Sequence, residues 1–135
     1  MSHPFRIIVM GSRDYPADVD SVGFVSGVIL RAAAATGARH FEIKHGGGRG
    51  LDAIVDQLAQ GWGWEVTPFP AYWMTPPRKK DPAGPIRNDA MASSGAELAL
   101  AFPIGDSRRS PGTWDCIEAC ARALIEVRIY PRGAR

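Results

Sequence analysis

Contiguous apolar runs alternate along this chain with segments of helical period, a pattern that predicts a parallel sheet covered by helices. The first run, residues 5–10, contains Ile7, Ile8 and Val9 side by side, as expected for a strand buried on both faces. Over 18–35, Val22, Val25, Ile29 and Ala33 form one stripe of a helix. A short second strand follows at 41–44. Leu51, Ile54, Val55, Leu58 and Ala59 then keep the i, i+3, i+4, i+7, i+8 spacing of an amphipathic helix, and Gly61 offers a stop. A third strand begins over 65–67.

Periodicity lapses over 68–85, which holds six of the 11 prolines together with Phe69, Tyr72 and Trp73. A loop of that length is usually functional or disordered. A short helix is expected over 86–94, a fourth strand over 98–102, a helix carrying Trp114, Ile117, Ala121 and Leu124, and an edge strand over 127–130. The pattern predicts one three-layer α/β domain over 1–135, Rossmann-like, with five parallel strands ordered 3-2-1-4-5. Strand two is the irregular member. Glu42 and Lys44 share one of its faces, which calls for partial solvent access or a dimer contact.

Composition narrows the picture. With 135 residues and 45% hydrophobic content, the chain can bury a substantial core, and a second folded domain is not expected. The formal net charge is +2, from 16 basic and 14 acidic side chains, so no nucleic-acid or membrane partner is required electrostatically. Cys116 and Cys120, the only cysteines, lie four apart in a helical pattern and suit small buried residues better than a disulfide or metal site; a reducing cytosol is the expected setting. The start of the chain lacks a charged leader, and no apolar run is expected to span a bilayer. His40 and His45 lack metal-ligand spacing, so neither a metal nor a cofactor is expected.

The candidate chemistry gathers after the strands. In an open parallel sheet, ligands lie beyond the carboxyl ends of the strands where the winding reverses, and four unusual segments are expected there. Gly11-Ser12-Arg13-Asp14 follows strand one, and His45-Gly46-Gly47-Gly48-Arg49-Gly50-Leu51-Asp52 follows strand two. The proline-rich loop with Arg87-Asn88 follows strand three, and Ser110-Pro111-Gly112-Thr113 follows strand four. Glycine amides at a helix start suit a phosphate, and Arg49 adds a charged fork, although the spacing is neither G-x-G-x-x-G nor a P-loop. Each segment also has a plain reading as a turn or helix start. Asp52 either caps its helix or orients Arg49.

Taken together, these four segments resemble the SLOG superfamily, most closely its small stand-alone YspA/YpsA-like branch. The superfamily also holds the LOG phosphoribohydrolases and the DNA-processing protein DprA/Smf. The resemblance implies a Rossmann-like domain binding a nucleotide or nucleotide-derived ligand. Gly11, Ser12 and Arg13 would lie by ribose or base, with Gly46, Gly47, Gly48, Arg49, Gly50 and Asp52 at a phosphate. Arg87 and Asn88 would join the site, and Pro111, Gly112 and Thr113 would supply a second anion contact.

Arg87 precedes Met91 as the catalytic arginine does in the R-K-x-x-M pattern of the LOG hydrolases. Their P-G-G-x-G-T-x-x-E signature, however, places a catalytic glutamate where this chain has Cys116. Asp115 and Glu118 point about 100° and 200° away from that position on a helix. A thiol does not replace a carboxylate in such chemistry. Binding, in a sensor or carrier, is therefore expected ahead of hydrolysis, with Arg87 and Asp115 as the catalytic pair if there is turnover, and Asp14 or Asp89 as other acids. Single-stranded DNA binding, as in DprA, is a further option favoured by Arg78-Lys79-Lys80 and Arg108-Arg109 but weakened by the near-neutral charge. A homodimer is expected from the resemblance. Phe69, Tyr72 and Trp73 are either base contacts or ordinary packing, while Trp62 and Trp64 are expected to pack at the sheet edge or a subunit contact.

Overall fold

A computed structural model describes residues 3–72 and 81–133. Trp73, Arg78, Lys79 and Lys80 lie outside the described residues. The elements run β1 (Phe5–Gly11), α1 (Val19–Thr36), β2 (Phe41–His45), α2 (Leu51–Gly61), β3 (Glu65–Pro68), α3 (Ala83–Ser93), β4 (Leu98–Phe102), α4 (Pro111–Arg122) and β5 (Val127–Ile129). All strand pairings are parallel, in the order β3-β2-β1-β4-β5. The molecule is the Rossmann-like three-layer sandwich that the alternation of runs and stripes predicts.

The strand pleat builds two cores. Ile7 and Val9 face α1 and α2, in a cluster with Val25, Ile29, Leu51 and Val55. Ile8 and Met10 face the other way, against Met91 of α3 and Cys116, Ile117 and Cys120 of α4. Both cysteines are free and buried. β4 is buried at every position, because both layers cover it. At the β3 edge, Trp64 stacks on Phe41 with ring centroids 4.6 Å apart and Trp62 lies beside it at 4.7 Å.

Helix ends follow local chemistry. Asp18 caps α1 by accepting the Ser21 N–H at 2.9 Å, and Gly37 ends that helix at φ 74°. With 18 residues and mean hydropathy 1.3, α1 has the length and composition of a membrane-crossing helix, contrary to the expectation that no such segment exists. Here its Val25, Val28, Ile29, Ala32 and Ala33 lie on the sheet. α3 begins at Ala83, three residues before the position expected from the prolines. Pro85 sits in its first turn, where a missing N–H breaks no helical hydrogen bond.

Lys44 settles the irregularity of β2. Its Nζ donates to Ser94 Oγ at 2.9 Å, Gly95 O at 2.7 Å and Ser94 O at 3.4 Å, so the ammonium closes the carboxyl end of α3. Burial lowers its pKa, with Glu42 pulling the other way. Glu42 accepts from Thr67 Oγ1 at 2.5 Å across the β2–β3 pair. Neither solvent nor a second subunit is needed to satisfy this face.

Candidate functional site

The winding reverses between β1 and β4, whose following loops leave toward opposite layers. Across this crevice the Ser12 N–H bonds Phe102 O at 3.2 Å, so the loop after β1 stays tied to the end of β4. Gly11 lets α2 approach: a Cβ there would stand 2.5 Å from Leu51 Cβ. Gly50, at φ 72°, lies so close to the β1 loop that a Cβ would meet Ser12 O at 2.5 Å. Ser12 O in turn accepts from Leu51 N at 3.1 Å and from Tyr15 N at 3.2 Å, and Ser12 Oγ accepts from Asp14 N at 3.0 Å. Gly11 and Ser12, read from the sequence as ribose or base contacts, therefore act in packing and in forming the turn. Arg13 is exposed. It lines a hollow of about 400 Å³ with Asp14, Tyr15, Gly50, Ile54 and Gln57.

Two amides of the glycine loop are satisfied by nearby side chains. Gly47 N–H donates to His45 Nδ1 at 2.9 Å, while His45 Nε2 meets Asp56 Oδ2 at 2.7 Å, which requires the neutral imidazole protonated at Nε2. This bond to His45 is the main reason that the Asp56 carboxyl is held below its usual range. Gly48 N–H donates to Asp52 Oδ2 at 3.1 Å. Burial raises the Asp52 pKa against the opposing pull of the Gly48 amide and of Arg87. Asp52 does not orient Arg49. Arg49 is exposed and reaches Asp14 at 3.5 Å, a contact worth little in water.

Arg87 and Asn88 join the loops. Arg87 Nη1 donates to Gly46 O and, at 3.3 Å, to Phe69 O; its Nε donates to Asn88 Oδ1 at 2.7 Å. Asn88, buried, donates through Nδ2 to Gly112 O at 3.3 Å and to Asp115 Oδ2 at 2.9 Å. Two consecutive side chains thus bond the glycine loop and the start of α4, bringing residues 46–50 and 111–113 to one rim. Arg87 spends most of its donors on the protein; among the described residues, Nη2 alone has no acceptor. Phe69 packs partly buried under the rim, Tyr72 is 85% exposed, and Asp89 lies outside the group, paired with Arg122 at 3.1 Å.

α4 presents the open end. Ser110 holds the turn before it, donating to Ile104 O at 2.7 Å and accepting from Ile104 N at 3.0 Å. Pro111 stands at the helix start, and the Gly112 and Thr113 N–H groups have no acceptor among the described residues. Thr113 is 5% exposed, yet its hydroxyl has no partner among the described residues. No enclosed side-chain oxygen or nitrogen lacks a partner among the described residues, so the accessible sliver of Thr113 includes Oγ1. Gly112 has open space where a side chain would stand. One turn on, Cys116 lies within the electrostatic reach of both Arg87 and Asp52. The Cys120 thiol and burial push its own thiol far above the usual range, which leaves it inert as a nucleophile.

Sequence reasoning missed His45 and Asp56 as the partners that order the loop. Their spacing of 11 residues, with a glycine turn between, carries no periodic signal. The Gene 61 protein of Mycobacterium phage D29 is 41% identical to this chain over 90 residues, covering 63% of this chain and 67% of that protein. No family model matches the chain. No solved structure matches it.

Proposed function

Since this chain belongs to the family of the phage D29 Gene 61 protein, a name that states no chemistry, we propose its function from the rim itself: binding of a nucleotide or nucleotide-derived ligand as a sensor or carrier. The phosphate sits at the start of α4, on the Gly112 and Thr113 amides and the Thr113 hydroxyl, with Arg87 Nη2 nearby. The observation that carries this reading is the otherwise buried Thr113, whose hydroxyl has no partner among the described residues, at a helix start with two amides likewise unpaired among them. The resemblance to the SLOG superfamily supplies the ligand class. Arg13, Arg49 and Arg87 are balanced around the rim by Asp14, Asp52 and Asp115, which favours a small ligand over a nucleic-acid strand.

A thermal-shift panel of nucleotides tests the reading. Thr113→Val removes only the hydroxyl, so the melting temperature of the free protein is expected to stay unchanged while affinity for the stabilising nucleotide falls about tenfold or more. No stabilisation by any nucleotide, or a Thr113→Val protein that binds as tightly as wild type, would refute it.

Turnover is the second reading, favoured by one contact: Asn88 holds Asp115 within the same hydrogen-bonded chain as Arg87. If the rim hydrolyses an N-glycosidic bond, free base accumulates from a nucleoside monophosphate and ceases to do so in Asp115→Asn.

A further inference from the structure

We propose that Asp52 sets the phosphate number of the ligand: its carboxylate fills the anion position of the glycine loop, so the rim takes a single phosphate and rejects adjoining ones. This inference rests on the α4 phosphate position argued above and adds what the glycine loop does opposite it.

A run of three glycines before a helix suggests a second phosphate cradle, but two of its amides, those of Gly47 and Gly48, are already committed. Gly48 N–H donates to Asp52 Oδ2 at 3.1 Å. Gly47 N–H is held at 2.9 Å by His45 Nδ1, itself fixed by Asp56 at 2.7 Å. A phosphate entering the loop would have to break these bonds and stand against a carboxylate. The loop thus carries its own internal anion.

Charge leads to the same conclusion. Arg87, the cation whose field reaches Asp52, is bound to Gly46 O, Phe69 O and Asn88 Oδ1, which limits its freedom to follow a second phosphate. The positive end of α2 faces Asp52 in its own first turn, whereas α4 has no acidic residue in its first turn. A phosphate entering the glycine loop therefore meets the Asp52 carboxylate in the first turn of α2, whereas the first turn of α4 carries no acidic residue. A carboxylate with lone pairs to spare suits a hydroxyl donor instead, such as the sugar of a phosphate monoester.

Calorimetric titration with inorganic phosphate and pyrophosphate, and with AMP and ADP, on wild type, Asp52→Asn and Thr113→Val separates the claims. Wild type is expected to bind each single-phosphate probe at least tenfold tighter than its two-phosphate counterpart. Asp52→Asn keeps an acceptor for Gly48 N–H and is expected to narrow that ratio about tenfold, chiefly by improving the two-phosphate affinity. Thr113→Val is expected to weaken both probes alike. Equal wild-type affinities for one and two phosphates, or an unchanged ratio in Asp52→Asn, overturns the role of Asp52 and leaves the α4 phosphate position standing. Absence of binding by all four probes overturns both. Because the wild-type ratio is itself decisive, the test does not depend on how well any variant folds.

Discussion

A single methyl group has opposite consequences at Gly11 and Gly23. At Gly11 the added Cβ would stand 2.5 Å from Leu51 Cβ, within a contact that seats α2 on the end of β1. Gly11→Ala is expected to cost about 1–3 kcal/mol, read by urea unfolding. Gly23 lies on the exposed side of α1 with nothing within 4 Å of the added carbon, so Gly23→Ala is expected to stabilise by about 0.5–1 kcal/mol through the same measurement. The sequence distinguishes these glycines by setting, one after a strand and one in a helical stripe. It does not reveal that Gly11 is a packing residue, because its neighbour Leu51 lies forty positions away. Ser12 is similar. Its buried side chain and carbonyl serve the turn, which residue type alone does not separate from a ligand contact.

Elements are stabilised by partners that their own periodicity does not contain. α3 has a weakly amphipathic sequence, with Asp81 Oδ1 accepting from Ala83 N–H at 3.0 Å at its start, and it is Lys44 of β2 that takes its terminal carbonyls. Lys44→Ala would leave Ser94 O and Gly95 O without that donor and is expected to cost about 1–3 kcal/mol. Amide hydrogen exchange is expected to quicken first over 90–95, ahead of the strands; uniform acceleration would instead mean that the whole fold had loosened. The strand runs and the stripes of α1 and α2 were legible because burial repeats along them. The start of α3 was not, because Pro85 reads as a stop until its place in the first turn is known.

At the scale of the whole molecule, acid stability depends on opposing carboxylates. Asp18, Asp56, Glu97 and Asp106 are held below their usual values, chiefly by hydrogen bonds from Ser21, His45, Arg6 and Arg108 respectively. Their contributions are complete above the ordinary carboxylate values of 3.8 and 4.5 and are lost as pH falls through the depressed ones. Asp52 has the opposite sign: stability declines as pH climbs from 3.8 through its raised value. The urea midpoint is expected to change gently between pH 7 and 5 and to fall steeply below about pH 4. Asp56→Asn is expected to lessen that fall, and a profile identical to wild type would remove the His45–Asp56 pair from the account.

The sequence by itself determined the layering and strand order, since two-sided burial and helical stripes repeat over short distances and right-handed crossovers leave few topologies. It also determined that four polar segments meet beyond the carboxyl ends of the strands. Only the tertiary structure decided which of their groups are already spent. Lys44 meets Ser94 50 positions away and Arg87 meets Gly46 41 positions away, so those hydrogen bonds exist only once the strands have paired. The same pairing closes the glycine loop on Asp52 and leaves Thr113 open, because a polar group's availability depends on what folding brings beside it.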